Sequence, residues 1–183
     1  MLDSKLSTDR QTAIVNLELY TDKKTRWLPM LLERLHDDDA EVRKGAAGLL
    51  TKIHEQSALS PILDLLKDKS DDVRRTAIEA IKTLGDGNAA KKLVESAQSE
   101  EDIELKIQLL ETALSLGNAD AIPALIQVIE DGGVFADDAY DHLKSHIQFE
   151  FKSTEVQKAK HWWEENKDKL QWDANAKMFV AKK

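Results

Sequence analysis

Apolar positions recur at helical spacing along most of the chain. Within residues 72–84, Val73, Ala77, Ile78, Ile81 and Leu84 form one stripe of a helix. The stretch before it begins with Pro61, which suits a first helical turn because its missing N–H would be unpaired there anyway. Ile62, Leu63, Leu65 and Leu66 follow, and the polar run at 68–71 breaks the pattern. Asp71 or Asp72 is expected to cap the second helix. Gly85 is expected to end it in a left-handed conformation. The segment therefore predicts a helix, a tight turn and a second helix.

That pattern is repeated. At an offset of 31, Val42, Arg43, Ala46, Leu50 and Ile53 correspond to Val73, Arg74, Ala77, Ile81 and Leu84. Upstream, Leu31, Leu32, Leu35 and Asp37 correspond to Ile62, Leu63, Leu66 and Asp68. At 32 from the second copy, Val73, Arg74 and Ala77 meet Leu105, Lys106 and Leu109. At 62, Pro61, Ala77 and Ile81 meet Pro123, Ala139 and Leu143. Arg10 and Ala13 stand 33 residues before Arg43 and Ala46. Neither helix of such a unit can bury its stripe alone, whereas stacked units bury a continuous one. The reading is an all-α, right-handed α-solenoid of about four helical hairpins, preceded by a half repeat.

The period is lost after about Ile147. Residues 1–146 are read as the solenoid and 147–183 as a C-terminal cap containing Trp162, Trp163 and Trp172. Val156, Ala159, Trp163 and Leu170 predict one more amphipathic helix over about 154–169, and 171–180 an extended or hairpin-like tail. Terminal units of an array need cover for their last apolar face. The tryptophans either supply it, each burying on the order of 200 Å², or form a binding platform. Neighbours on a helix, Trp162 and Trp163 point about 100° apart, so one of them is expected inside.

Two segments, LPMLLERLHDDDAEVRKGAAGLLTKI (28–53) and LLKDKSDDVRRTAIEAIKTLGD (65–86), resemble HEAT repeats of the short bacterial kind also seen in phycobilisome lyases. The resemblance implies a ladder in which an Asp ending the first helix and an Arg early in the second link stacked units. By position these are Asp37 with Arg43, and Asp68 with Arg74; Lys106 and Ala136 depart from it in the later units. It also implies a protein-interaction scaffold. Two further roles of HEAT-built proteins are a substrate-holding component of a lyase-like modifying enzyme and a DNA-binding or repair module.

Chemistry is sparse. The chain has no cysteine, which excludes disulfides, thiolate nucleophiles and cysteine-ligated metal. Asp138, His142 and His146 share one helical face at i, i+4 and i+8, but spacing alone names no fourth ligand. His54-Glu55 resembles the His-Glu pairs of the HEAT-built di-iron hydroxylases; those use several pairs and this chain has one. No triad, phosphate-cradling glycine loop or catalytic carboxylate cluster appears, so no enzyme, cofactor or metal is expected. Gly45 and Gly48 lie inside a helix, where packing or a shallow groove must offset their cost; Gly48 is expected to face the first helix.

Charge changes the picture most. The 183 residues carry a net charge of −8, which argues against general nucleic-acid binding. All six arginines lie in the first 75 residues, where Arg43, Lys44, Lys52, Arg74, Arg75 and Lys82 offer a modest basic patch. Residues 99–141 hold eleven acids against Lys106 alone, a net −10. This is either a solubilising surface or a dock for a basic segment of a partner protein, around Glu104, Glu111, Asp137, Asp138 and Asp141. No apolar run approaches ~18 residues, and the N-terminus lacks the apolar core of a signal peptide. A cytoplasmic monomer is expected.

Overall fold

In the computed structural model, residues 2–17, 19 and 24–182 are described. Among these residues, ten α-helices and one hairpin follow in order: α1 (Ser7–Leu17), α2 (Lys24–Glu33), α3 (Ala40–Lys52), α4 (Leu59–Asp64), α5 (Asp71–Leu84), α6 (Gly87–Ala97), α7 (Ile103–Ser115), α8 (Ala121–Asp131), α9 (Ala136–His146), α10 (Val156–Asn166), β1 (Leu170–Asp173) and β2 (Met178–Ala181). The fold is an all-α helical repeat: α1 is the half repeat, and the pairs α2–α3, α4–α5, α6–α7 and α8–α9 are the four hairpins. The chain divides into two compact units, Met1–Gly85 and Asp86–Lys183.

In the first unit α1 packs on α3 and α3 on α5, with α2 and α4 behind them. Leu31, Leu35, Val42, Ala46, Leu50, Ile62, Val73, Ala77 and Ile81 are fully buried, the repeated stripe that the sequence spacing defines. The helix starts differ between copies. Asp39 caps α3, accepting from the N–H groups of Glu41 and Val42. Ser70, without a side-chain cap bond, stands at the start of α5, so Asp71 and Asp72 lie in its first turn instead of capping it. Gly85 is extended (φ −77°), not left-handed. Within α3 it is Gly45, not Gly48, that approaches α1: a Cβ there would lie 3.7 Å from Ile14 Cγ2, whereas Gly48 has nothing within 4 Å.

In the second unit α7 is enclosed by α6, α8 and α9, and its residues are buried on nearly every side, from Leu105 to Leu114. Asp86 and Asp102 cap α6 and α7 through the N–H groups two and three residues on. α10 lies on α8, and β1 pairs antiparallel with β2 in the register Trp172↔Phe179. β2 touches α9, with a bridge between Ile147 and Phe179. The extended tail is thus a hairpin, and α10 is three residues shorter at its C-terminal end than the spacing predicts.

A cluster of aromatic rings joins these pieces. Trp162 stacks on Phe149 at 5.0 Å, and Tyr140 meets Phe151 edge-on at 5.1 Å while its hydroxyl donates to the Phe151 carbonyl at 2.6 Å. Trp162, Trp163 and Trp172 are all half-buried, so neither member of the Trp162–Trp163 pair is fully inside. Trp172 sits on the turn after α7, where Gly117 has φ +84° and an added Cβ would come within 2.7 Å of the indole. Only glycine serves both demands there.

Candidate docking surface

The loops that connect each pair of helices in the first unit are held by arginines. Arg10 of α1 is 6% exposed and grips Asp37 with two bonds, Nε to Oδ2 at 2.8 Å and Nη2 to Oδ1 at 2.6 Å. Arg43 of α3 does the same to Asp68, at 2.6 and 2.7 Å, and its remaining nitrogen donates to the carbonyls of Asp37 and Asp38. The ladder therefore runs one unit forward of the expected pairing. Asp37 receives Arg10 on its carboxylate and Arg43 only on its main chain. Arg74 likewise donates to the Asp68 carbonyl at 3.0 Å and pairs with Asp71 at 2.9 Å, leaving the Asp68 carboxylate to Arg43.

These bonds have an electrostatic signature. Burial raises the Asp37 and Asp68 carboxyl pKa values, but the arginine bonds and the N–H groups of Asp39 and Ser70 outweigh it and hold both below the ordinary range. The Asp68 and Asp37 bonds in turn raise Arg43 and Arg10. A second brace joins Lys24 of α2 to Glu55 beyond α3. Hydrogen bonds from Lys24 and Ser57 bring the Glu55 carboxyl down to about 2.

The second helices of the other unit carry the acidic residues singled out from the sequence. Glu104 is exposed and Glu111 half-buried on α7; Asp137, Asp138 and Asp141 are exposed on α9. The two helices pack against each other. Glu111 and Asp141 each stand two residues after corresponding buried positions, Leu109 and Ala139, so they occupy equivalent points on neighbouring helices. Asp138 lies 3.5 Å from His142. Asp137 and Asp141, one helical turn apart, have no ion pair among the described residues.

The three-residue ligand spacing on α9 does not converge. His146 is 8% exposed; its Nδ1 lies against the His142 carbonyl and its ring stacks on Trp172 at 6.2 Å. His54 occupies an exposed turn at φ 51°, and its neighbour Glu55 is committed to Lys24. Among the described residues no three His, Cys, Asp or Glu side chains are grouped to hold a metal ion. Among them, too, no helix is long and apolar enough to cross a membrane.

Sequence reasoning missed a cavity of about 390 Å³ between α6, α7 and α8, with Lys106 and Asp131 in its lining. The one signal for it was Lys106 at an arginine position. Comparison with known proteins finds no match among curated proteins. The family model for HEAT repeats matches residues 28–113, from the first residue of the LPMLLERL segment to the core of α7. Such repeats are generally protein-interaction scaffolds. With that match, residues 28–113 are HEAT repeats, and the helical hairpin recurs four times from α2 to α9.

Proposed function

We propose that the chain is a non-enzymatic interaction scaffold whose α7–α9 surface receives a basic segment of a partner protein. The observation that carries this is the state of Asp137 and Asp141: both are exposed, one turn apart, and unpaired among the described residues. Glu104 and Glu111 extend the same negative charge onto the adjoining helix. Acidic side chains held on rigid helices bind without an ordering cost, which favours affinity. The arginines offer little support for nucleic-acid binding, because Arg10, Arg34, Arg43 and Arg74 are engaged with carboxylates.

The test is fluorescence anisotropy with a labelled Lys/Arg-rich peptide against the full chain. Binding should weaken steeply between low and high salt, since the Debye length shrinks from ~30 Å at 0.01 M to ~8 Å at 0.15 M. Replacing Glu111, Asp138 and Asp141 with Lys should abolish binding while the circular dichroism stays helical. Binding that survives the triple substitution, or that ignores salt, would leave the acidity as a solubility device.

A further inference from the structure

In the first unit, the place where a second helix meets the end of the next first helix is filled by a paired arginine: Arg10 on Asp37, Arg43 on Asp68. In the second unit the corresponding place is open. α7 carries Lys106 where α3 has Arg43, α8 ends at Asp131, and both residues line the 390 Å³ cavity. Among the described residues Lys106 makes no ion pair, and Asp131 accepts one bond, from Gln127 Nε2 at 2.7 Å. Lysine is a single point charge where arginine is a planar fork, so the substitution does not rebuild a two-bond rung.

The lining fits one kind of visitor. Val94, Ala97, Pro123 and Val128 give an apolar wall. Asp120 and Asp131 outnumber Lys106, so the lining carries a net charge of −1. Gln98 and Gln127 add side-chain carbonyls that can accept from N–H groups. An aliphatic stem on apolar wall with a guanidinium on a carboxylate is the arrangement that Arg10 and Arg43 already make, each 6% exposed. We propose that this open rung is a binding site for an arginine side chain supplied by a partner protein, its stem against Val94, Ala97 and Pro123 and its guanidinium on Asp131. The contacts proposed for the arginine lie on the first helices α6 and α8, on residues outside the acidic surface of α7 and α9. It therefore stands or falls separately from the α7–α9 surface.

The experiment titrates the ¹⁵N-labelled full chain with acetyl-Ala-Arg-Ala-amide and with the same peptide carrying citrulline or glutamate in place of arginine. Citrulline keeps the shape and removes the charge. The arginine peptide should give saturable shifts at the amides of Val94, Ala97 and Val128, and the citrulline peptide should bind at least tenfold more weakly. Asp131→Asn should weaken arginine binding at least tenfold. Lys106→Arg should do the same, because the chain's own guanidinium then competes for the place. The peptide comparison uses the unaltered protein, so it decides the matter even where a variant misfolds. Equal binding of arginine and citrulline, or no shifts at these amides, overturns the proposal. So does a glutamate peptide that binds and is lost in Lys106→Ala, which would make the cavity a carboxylate site.

Discussion

Replacing Arg43 with alanine removes one rung and tests what the ladder contributes. The Asp68 side chain is 7% exposed, so the substitution leaves a carboxylate in a poorly hydrated place without its cation. Removing one partner of a buried pair costs about 3–5 kcal/mol. The Ser70 N–H stays on Asp68 Oδ1 at 2.9 Å and should hold the loss near the lower end of that range. The carbonyls of Asp37 and Asp38 also lose a donor. Lys44→Ala is the control: its bond to Glu41 spans one exposed helical turn, and such pairs contribute under about 1 kcal/mol. Urea unfolding followed by circular dichroism at pH 7 should separate the two variants by at least 2 kcal/mol, estimated from those ranges. The sign with pH is fixed too. The folded-state pKa of Asp68 lies below its ordinary value, so the rung's contribution is complete above the ordinary carboxylate range and fades as pH falls through the folded value. The gap between Arg43→Ala and the parent should narrow at acid pH. Equal losses in Arg43→Ala and Lys44→Ala, or a gap that does not change with pH, would refute the ladder as a stabilising device.

Two glycines should respond in opposite directions. Gly48→Ala, in an exposed helical position with nothing within 4 Å, should gain about 0.5–1 kcal/mol. Gly117→Ala, at φ +84° beneath the Trp172 ring, should lose more than about 1 kcal/mol and alter tryptophan fluorescence; thermal melts check both. For Glu55, whose carboxyl lies at about 2, the bond to Lys24 stabilises fully above about pH 4.5 and fades towards pH 2. Glu55→Gln should therefore be less stable than the parent at pH 7 and equal to it near pH 2, read by urea midpoints across that window. Deleting residues 152–183 removes α10 from α8 and the hairpin from α9. The shortened chain should stay helical but self-associate in size-exclusion chromatography, since uncovered apolar faces do so.

The helices were legible because burial imposes a period of 3.6, and the units because two copies match at one offset. Pairing between units was not. An offset aligns Asp37 with Asp68 and Arg43 with Arg74, but it does not say whether an arginine turns back to its own unit's aspartate or reaches forward to the next. The Asp37 carboxylate is occupied by Arg10, whose own place 33 residues before Arg43 was visible in the sequence. The glycines show the same limit. Gly45 and Gly48 differ by 300° around the helix, and only the packing of Ile14 tells which faces α1. Leu116-Gly117 and Leu84-Gly85 align, yet Gly117 is left-handed and Gly85 extended, because Trp172 comes down on one of them. The acidic positions were legible as a composition; which are paired follows from neighbours that a sequence does not order in space. The cavity was the least visible feature, since it depends on how α6, α7 and α8 pack.

Each unit also holds its helices by a different means, and this bears on where a partner fits. Between Met1 and Gly85 the loops are clamped by guanidinium–carboxylate pairs that are directional and nearly dry. Asp86–Lys183 contains no arginine; apolar contact around α7 and an aromatic cluster hold it. Apolar packing tolerates a missing side chain at the rim of a helix pair, whereas a dry charge pair does not tolerate losing its partner. The second unit can therefore keep a cavity and unpaired surface carboxylates without losing its fold, and a buried carboxylate left unpaired in the first would cost it several kcal/mol. The proposed binding role rests on that difference: the unit without arginines of its own holds the cavity and the unpaired carboxylates that the proposal assigns to a cationic segment of another chain.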